Sequence, residues 1–201
     1  MSQRKTIAVD LDDVLAASAE AWVAFSNQQW GTNLTVEDYQ EDWSAAWQVD
    51  HATSEERWKD IEEAGVYINV QPNLSATEVL KQLSESYKLV IATSRSAPIY
   101  KPTIDWIRQH YGQVFSEVHT SGIFDKGMSD EAIKLTKAQL CREIGADYLI
   151  DDQLKHCLAV ADAGIEAILF GDYPWNQIDK LPKNVTRCAD WPAVLEYFDA
   201  A

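Results

Sequence analysis

The stretch Thr6-Ile7-Ala8-Val9-Asp10-Leu11-Asp12-Asp13-Val14 passes from apolar to acidic within a few residues. Its first half, Thr6–Asp10, reads as a short parallel strand covered on both faces, because such strands are near-continuous apolar runs. Alternation then breaks, and three acids crowd together where a parallel sheet opens to solvent. Like charges this close raise one another's pKa values, so the cluster needs a cation or a shared proton. One carboxylate can stay ionised as a nucleophile while its neighbour holds a proton for a leaving group. The plainer alternative is a solvated Asp-rich turn that caps the next helix.

Working outward, similar short runs recur at Leu89–Thr93, Glu117–Thr120, Tyr148–Asp151, Ala167–Phe170 and Val185–Cys188. Amphipathic helices fall between them. Ala76, Val79, Leu80 and Leu83 form one stripe, with Ser75 and Glu78 as a capping box. Leu154, Cys157, Leu158 and Ala161 form another, ended by Gly164. Regular alternation of this kind predicts an α/β fold with a doubly wound, Rossmann-like parallel sheet. Ligands in such sheets bind beyond the carboxyl ends of the strands. Residues 1–14 and 74–201 carry this pattern. Residues 15–73 are helical and rich in tryptophan, and they read as a small cap inserted after the first strand. Its helices are expected from about Ala16 to Gln29, from near Thr35 with Asp38 in capping-box position, and from near Thr53 with Glu56 three residues on.

A chain of 201 residues that is 46% hydrophobic and 24% charged has ordinary globular usage and predicts a packed core. The net charge of −15 argues against a nucleic-acid polymer as partner, since such binding needs a basic footprint. No apolar run approaches the roughly 20 residues that span a bilayer. Met1–Lys5 leads straight into a strand-like run and is not read as a signal peptide. Cys141, Cys157 and Cys188 are odd in number, lack metal-ligand spacing and sit in core-like segments, which suits a reducing cytoplasm.

Three more constellations stand at predicted element ends. Ala92-Thr93-Ser94-Arg95 places two hydroxyls and a guanidinium after the second strand, suited to phosphate oxygens unless the hydroxyls only cap a helix. Thr136 and Gln139 make a capping box that puts Lys137 at a helix start, where the dipole disfavours a cation. Lys137 also shares the stripe of Ile133, Leu140, Cys141 and Ile144, so it points inward; a snorkelling surface lysine is the alternative. Leu149-Ile150-Asp151-Asp152 ends the fourth strand in two acids, one able to ligate a metal while the other orients the surrounding ligands, unless the pair only caps the next helix. Oxygen-only ligands favour a hard cation, and partial ligation with retained waters favours Mg²⁺ over Ca²⁺.

A D-x-D after the first strand, then Thr-Ser, a helix-start lysine and Asp-Asp, in this order, resembles the four motifs of the haloacid-dehalogenase superfamily. Val9–Ala16, Ile91–Arg95, Tyr148–Asp152 and the late run Leu169-Phe170-Gly171-Asp172-Tyr173-Pro174-Trp175-Asn176 look most like the 5′(3′)-deoxyribonucleotidase-type branch. The resemblance implies a phosphatase acting on a small phosphomonoester, such as a nucleoside monophosphate. In it Asp10 attacks phosphorus and Asp12 serves as general acid and base. Thr93, Ser94 and Arg95 hold phosphate with Lys137. Mg²⁺ is bound by Asp10, the carbonyl of Asp12 and the Asp151/Asp152 pair, with Asp152 favoured for direct ligation. Two positions depart from the family pattern. Asp13 stands where glycine is usual, which constrains the turn, and Ser18 stands where the animal nucleotidases carry an aromatic.

Trp43 and Trp47 are four residues apart and share a helical face. They can stack on a base or supply the core of so small a domain. Rival functions are a small-molecule phosphatase or phosphotransferase of other specificity, and a non-enzymatic phospho-receiver switch. The switch needs neither an acid two residues beyond the nucleophile nor a cap.

Overall fold

The computed structural model describes residues 4–39, 43–121 and 136–200. Six parallel strands form one sheet: β1 (Thr6–Val9), β2 (Lys88–Thr93), β3 (Glu117–Thr120), β4 (Tyr148–Asp151), β5 (Glu166–Phe170) and β6 (Val185–Cys188). Their order is β3-β2-β1-β4-β5-β6, so the chain changes direction across the sheet between β1 and β4, where doubly wound sheets bind ligands. Val9 lies opposite Ile91 on one side and Ile150 on the other, which brings three strand ends together.

The period of two sorts side chains to the two faces. Ile7, Val9, Leu89, Ile91, Ile150 and Ile168 face one apolar layer, while Ala8, Val90, Leu149, Ala167 and Leu169 face the other. Among the described residues, the helices are α1 (Ser18–Trp30), α2 (Trp43–Trp47), α3 (His51–Glu63), α4 (Val66–Asn69), α5 (Ala76–Ser86), α6 (Tyr100–Tyr111), α7 (Lys137–Ile144), α8 (Leu154–Asp162) and α9 (Trp191–Asp199). None is long and apolar enough to cross a membrane. On α5 the expected stripe of Ala76, Val79, Leu80 and Leu83 is buried. Its start differs from the expected capping box, because Ser75 makes no cap bond and donates to Asn73 Oδ1 instead. On α8 the deeply buried pair is Cys157 and Val160, a small rotation from the predicted stripe.

Helices α1–α4 lie between β1 and α5 and share a core of Trp22, Val23, Trp43, Trp47 and Ile61. The two connections to the sheet run side by side. Ala16 bridges Pro72 antiparallel, Ala17 N donates to Gln71 O (2.9 Å), and Asn73 N donates to Leu15 O (2.7 Å). Two helix starts differ from expectation. The Thr35/Asp38 capping box forms, but it closes only a single 3-10 turn, Val36–Asp38. The third helix starts at His51, because Asp50 is the N-cap and accepts from Thr53 N; an ionised carboxylate on the preceding connection displaces the Thr53 hydroxyl from that role. Ile133, expected on the Lys137 stripe, lies outside the described residues.

Candidate active site

The carboxyl ends of β1, β2 and β4 converge on one buried lysine. Asp10 N donates to Ile150 O (2.9 Å), which fixes the β1 end beside β4. Thr136 caps α7 with Gln139 in the expected box, so Lys137 is the first helical residue. Its side chain is 1% exposed. Nζ donates to Asp10 Oδ1 (2.7 Å) and Ala92 O (2.6 Å), and stands 3.1 Å from Asp151 Oδ2. Two carboxylates thus outweigh the unfavourable helix dipole. Burial works against the ammonium, yet the charges of Asp10 and Asp151 raise its pKa. Asp10 is pushed up to about 6 by burial; Lys137 opposes this, and the Asp151 and Asp12 charges add to it.

Asp12 faces a different partner. Arg95 Nη2 donates to Asp12 Oδ1 (2.8 Å) and Arg95 Nε to Oδ2 (3.1 Å). Arg95 Nη1 donates to Tyr67 O (3.3 Å) and Thr103 Oγ1 (3.2 Å), and the guanidinium lies over the Tyr67 ring. Ser18 Oγ donates to Asp12 Oδ1 as well, so the residue that departs from the family pattern acts on the second carboxylate. Burial pushes Asp12 up, but the Arg95 charge and the hydrogen bonds from Arg95 and Ser18 prevail and hold it low. Thr93 is buried and its Oγ1 accepts from Arg95 N (3.2 Å), while Ser94 lines the cleft.

The turn after Asp12 shows what a side chain does in a glycine's place. Asp13 has φ 59°, in the left-handed region where glycine is unstrained. It is held there by Asp13 N to Ala16 O (2.7 Å), Ala19 N to Asp13 Oδ1 (2.9 Å) and Tyr173 OH to Asp13 O (2.7 Å). Burial raises its carboxyl to about 8, helped by the charges of Asp12 and Asp10.

On the β4 side, Asp151 is fully buried. Its Oδ1 accepts from Gln153 N (2.8 Å), and His156 Nδ1 lies 3.2 Å from Oδ2. Burial raises Asp151, but Lys137 and His156 pull it well below the usual carboxylate range. Asp152 is raised by burial and then by the charges of Asp151, Asp13 and Asp10. One oxygen each of Asp10, Asp151 and Asp152 lies within 4.8 Å of the others. This donor set is all oxygen and carries more negative charge than one lysine balances, which fits a hard divalent cation of the Mg²⁺ type.

The structure therefore brings Asp10, Asp12, Thr93, Ser94, Arg95, Lys137, Asp151 and Asp152 to one end of the sheet. It does not bring Trp43 and Trp47 there. Both are buried in the core shared by α1–α4, in ring contact with each other and with Trp58, and Trp47 Nε1 donates to Ser26 Oγ (3.0 Å). The aromatic residues lining the cleft are Trp22 and Tyr39, together with Gln153, Lys155 and His156. The cleft measures about 110 Å³. Residues that sequence reasoning missed are Ser18 as a partner of Asp12, and Gln153, His156, Trp175 and Asn176 around Asp151 and Asp152. Only the resemblance of Leu169–Asn176 to the family pointed towards the last two.

Residues 4–198 match the family described as 5′ nucleotidase, deoxy (Pyrimidine), cytosolic type C protein. The chain belongs to this family. It is a haloacid-dehalogenase-type hydrolase of phosphomonoesters. No curated protein matches the chain. Among solved structures, a haloacid dehalogenase-like hydrolase from Streptococcus pneumoniae aligns with TM-score 0.71 at 16% identity, covering 98% of this chain and 100% of that one. A predicted phosphoglycolate phosphatase from Haemophilus somnus 129pt aligns at 0.65 and 16%, over 98% and 99%. A D,D-heptose 1.7-bisphosphate phosphatase from B. bronchiseptica, complexed with magnesium and phosphate, aligns at 0.59 and 15%, over 98% of each. At these identities the likeness establishes the shared fold.

Proposed function

We propose that the protein is a Mg²⁺-dependent phosphatase that hydrolyses a nucleoside monophosphate through an aspartyl-phosphate on Asp10. The observation that carries this reading is the Lys137 ammonium, buried between Asp10 and Asp151 at the mouth of the sheet. It keeps Asp10 oriented and ionisable, as a nucleophile requires. Asp10 Oδ attacks phosphorus, the ester P–O bond breaks, and Asp12 gives its proton to the departing oxygen. Asp12 then takes a proton from water, whose oxygen attacks phosphorus and frees Asp10. The Arg95 and Ser18 contacts favour the ionised form of Asp12 and so suit it to that second half; the proton it gives in the first half requires those contacts to give way. Such a proton-transfer group contributes about 10²–10⁴ in rate.

Thr93 and Ser94 would hold phosphoryl oxygens, while Lys137, its three N–H groups on Asp10, Ala92 O and Asp151, would balance the charge of phosphate and nucleophile, and Arg95 stays committed to Asp12, Tyr67 O and Thr103. Asp10, Asp151 and Asp152, with the Asp12 carbonyl, would hold Mg²⁺, which when bound draws charge from the phosphoryl oxygens. Asp151 is already engaged by Lys137, His156 and Gln153, which favours Asp152 as the direct ligand. The family's description supports both the nucleotide substrate and a cytosolic setting. A cleft of about 110 Å³ takes a phosphoryl group but falls short of the roughly 300 Å³ at which small-molecule pockets begin. A nucleoside would therefore need more room than this cleft offers.

Phosphate release from a panel of nucleoside monophosphates and sugar phosphates, with Mg²⁺ and with EDTA, tests the reading. Preference for nucleotides, lost in EDTA and restored by Mg²⁺, is the expected outcome. Equal rates across the panel would remove the nucleotide assignment, and full activity in EDTA would remove the metal.

A further inference from the structure

The segment Gly171–Asn176, after β5, reaches three parts of the site at once. Trp175 Nε1 donates to Asp152 Oδ2 (2.7 Å), the oxygen that also accepts from Gln153 Nε2 (2.8 Å). The Trp175 ring stacks on Tyr173 at 4.4 Å and 5°, and the Tyr173 hydroxyl anchors the Asp13 turn. Tyr39, from the cap, packs on Trp175 at 4.3 Å and 37°, and its hydroxyl accepts from Gln153 Nε2 (3.3 Å). Below the rings, fully buried Asn176 donates to Asp152 O (3.0 Å) and Phe170 O (2.9 Å). Arg187 holds Asn176 through Oδ1 (2.8 Å) and O (2.6 Å).

The geometry points to Trp175 as a positioning residue for the candidate cation site, orienting Asp152 through its indole N–H and tied to the cap through Tyr39. The role rests on the reading of Asp152 as a ligand. Its physical basis is the kind of donor used. Asp152 is buried beside Asp10 and Asp151, whose charges repel it. A lysine or arginine would hold it but also neutralise it, leaving less charge for a cation. An indole N–H is a neutral donor with no acceptor. Together with the Gln153 amide it fixes the carboxylate through Oδ2 and leaves the net charge in place. Both of these donors meet Tyr39, so the cap's position bears on Asp152.

Trp175→Phe keeps a ring between Tyr173 and Tyr39 and deletes only the donor. Mg²⁺ binding is measured by titration calorimetry on the substrate-free full chain. The variant is expected to bind about 10–100-fold more weakly, the usual cost of losing such an outer partner. Its melting temperature in EDTA should stay within about 2 °C of wild type, since little packing changes. Gln153→Met removes the other donor without touching the ring stack and should weaken binding too. Tyr39→Leu should weaken it by a smaller factor. A wild-type Kd in Trp175→Phe overturns the role of Trp175, and one in Tyr39→Leu overturns the tie to the cap. No turnover is involved: an active enzyme with unchanged Mg²⁺ affinity in Trp175→Phe sinks this proposal alone. Absent phosphatase activity with the expected affinity loss sinks only the reading of function.

Discussion

Replacing Lys137 by methionine would remove the ammonium between Asp10 and Asp151 while nearly preserving side-chain length. The ammonium makes contacts at 2.7, 2.6 and 3.1 Å from a position 1% exposed. Its loss leaves Asp10 without that counter-charge, Asp151 with only His156 and Gln153 N of its present partners, and the Ala92 carbonyl without that donor. Breaking a buried ion pair by removing one partner costs about 3–5 kcal/mol. At about 2–4 °C per kcal/mol for a chain of this size, the melting temperature in EDTA should fall by about 6–20 °C. Asp10, already raised to about 6, will take up a proton more readily, which places the loss towards the lower figure. Millimolar Mg²⁺ should restore much of it, because bound cation supplies the missing charge; binding at a hundredfold excess over Kd contributes about 2.7 kcal/mol. Thermal melts of wild type and variant, with EDTA and with Mg²⁺, provide the assay. A fall below about 2 °C in EDTA, or a smaller Mg²⁺-induced rise in the variant than in wild type, would refute the electrostatic account of this site.

Two further substitutions probe the same end of the sheet. Asp13 is raised in the fold from 3.8 to about 8, so between those values the folded protein keeps a proton that the unfolded chain has lost. Its contribution to stability is complete below the unfolded value and is lost as pH rises to about 8, at up to about 1.4 kcal/mol per pH unit. Asp13→Asn retains an acceptor for Ala19 N and should flatten that fall, as read by urea unfolding in EDTA across the window; an unchanged slope would contradict the buried charge. At Gly171, φ is 81° and an added Cβ would meet the Tyr173 ring. Gly171→Ala should therefore lower stability by about 1–3 kcal/mol, and an unaltered melting temperature would show that the ring yields without cost.

Much of the site was legible because it sits where local pattern and topology coincide. Asp10, Thr93, Lys137 and Asp151 each end or begin an element whose boundaries follow from apolar runs and a capping box, and parallel pairing then gathers them. Trp43 and Trp47 show the limit of such reading. Spacing of four says that they share a face, but not which face. The helices of residues 18–69 turn that face inward onto Trp22 and Ile61, leaving Trp22 and Tyr39 to line the cleft. The Thr35 box likewise describes a turn correctly without fixing how far the helix continues. Arg95 to Asp12 and Trp175 to Asp152 join residues 83 and 23 positions apart. No local periodicity encodes such pairs, and only the assembled sheet reveals them.

The central claim is that Asp10 carries the phosphoryl group. Rapid quenching of the wild-type enzyme during turnover of a nucleoside monophosphate, followed by peptide mass mapping, measures it directly. A single phosphoryl group on Asp10, absent from Asp10→Asn together with turnover, is the predicted result. A phosphoryl group on any other residue, or Asp10→Asn turning over at the wild-type rate, would contradict it.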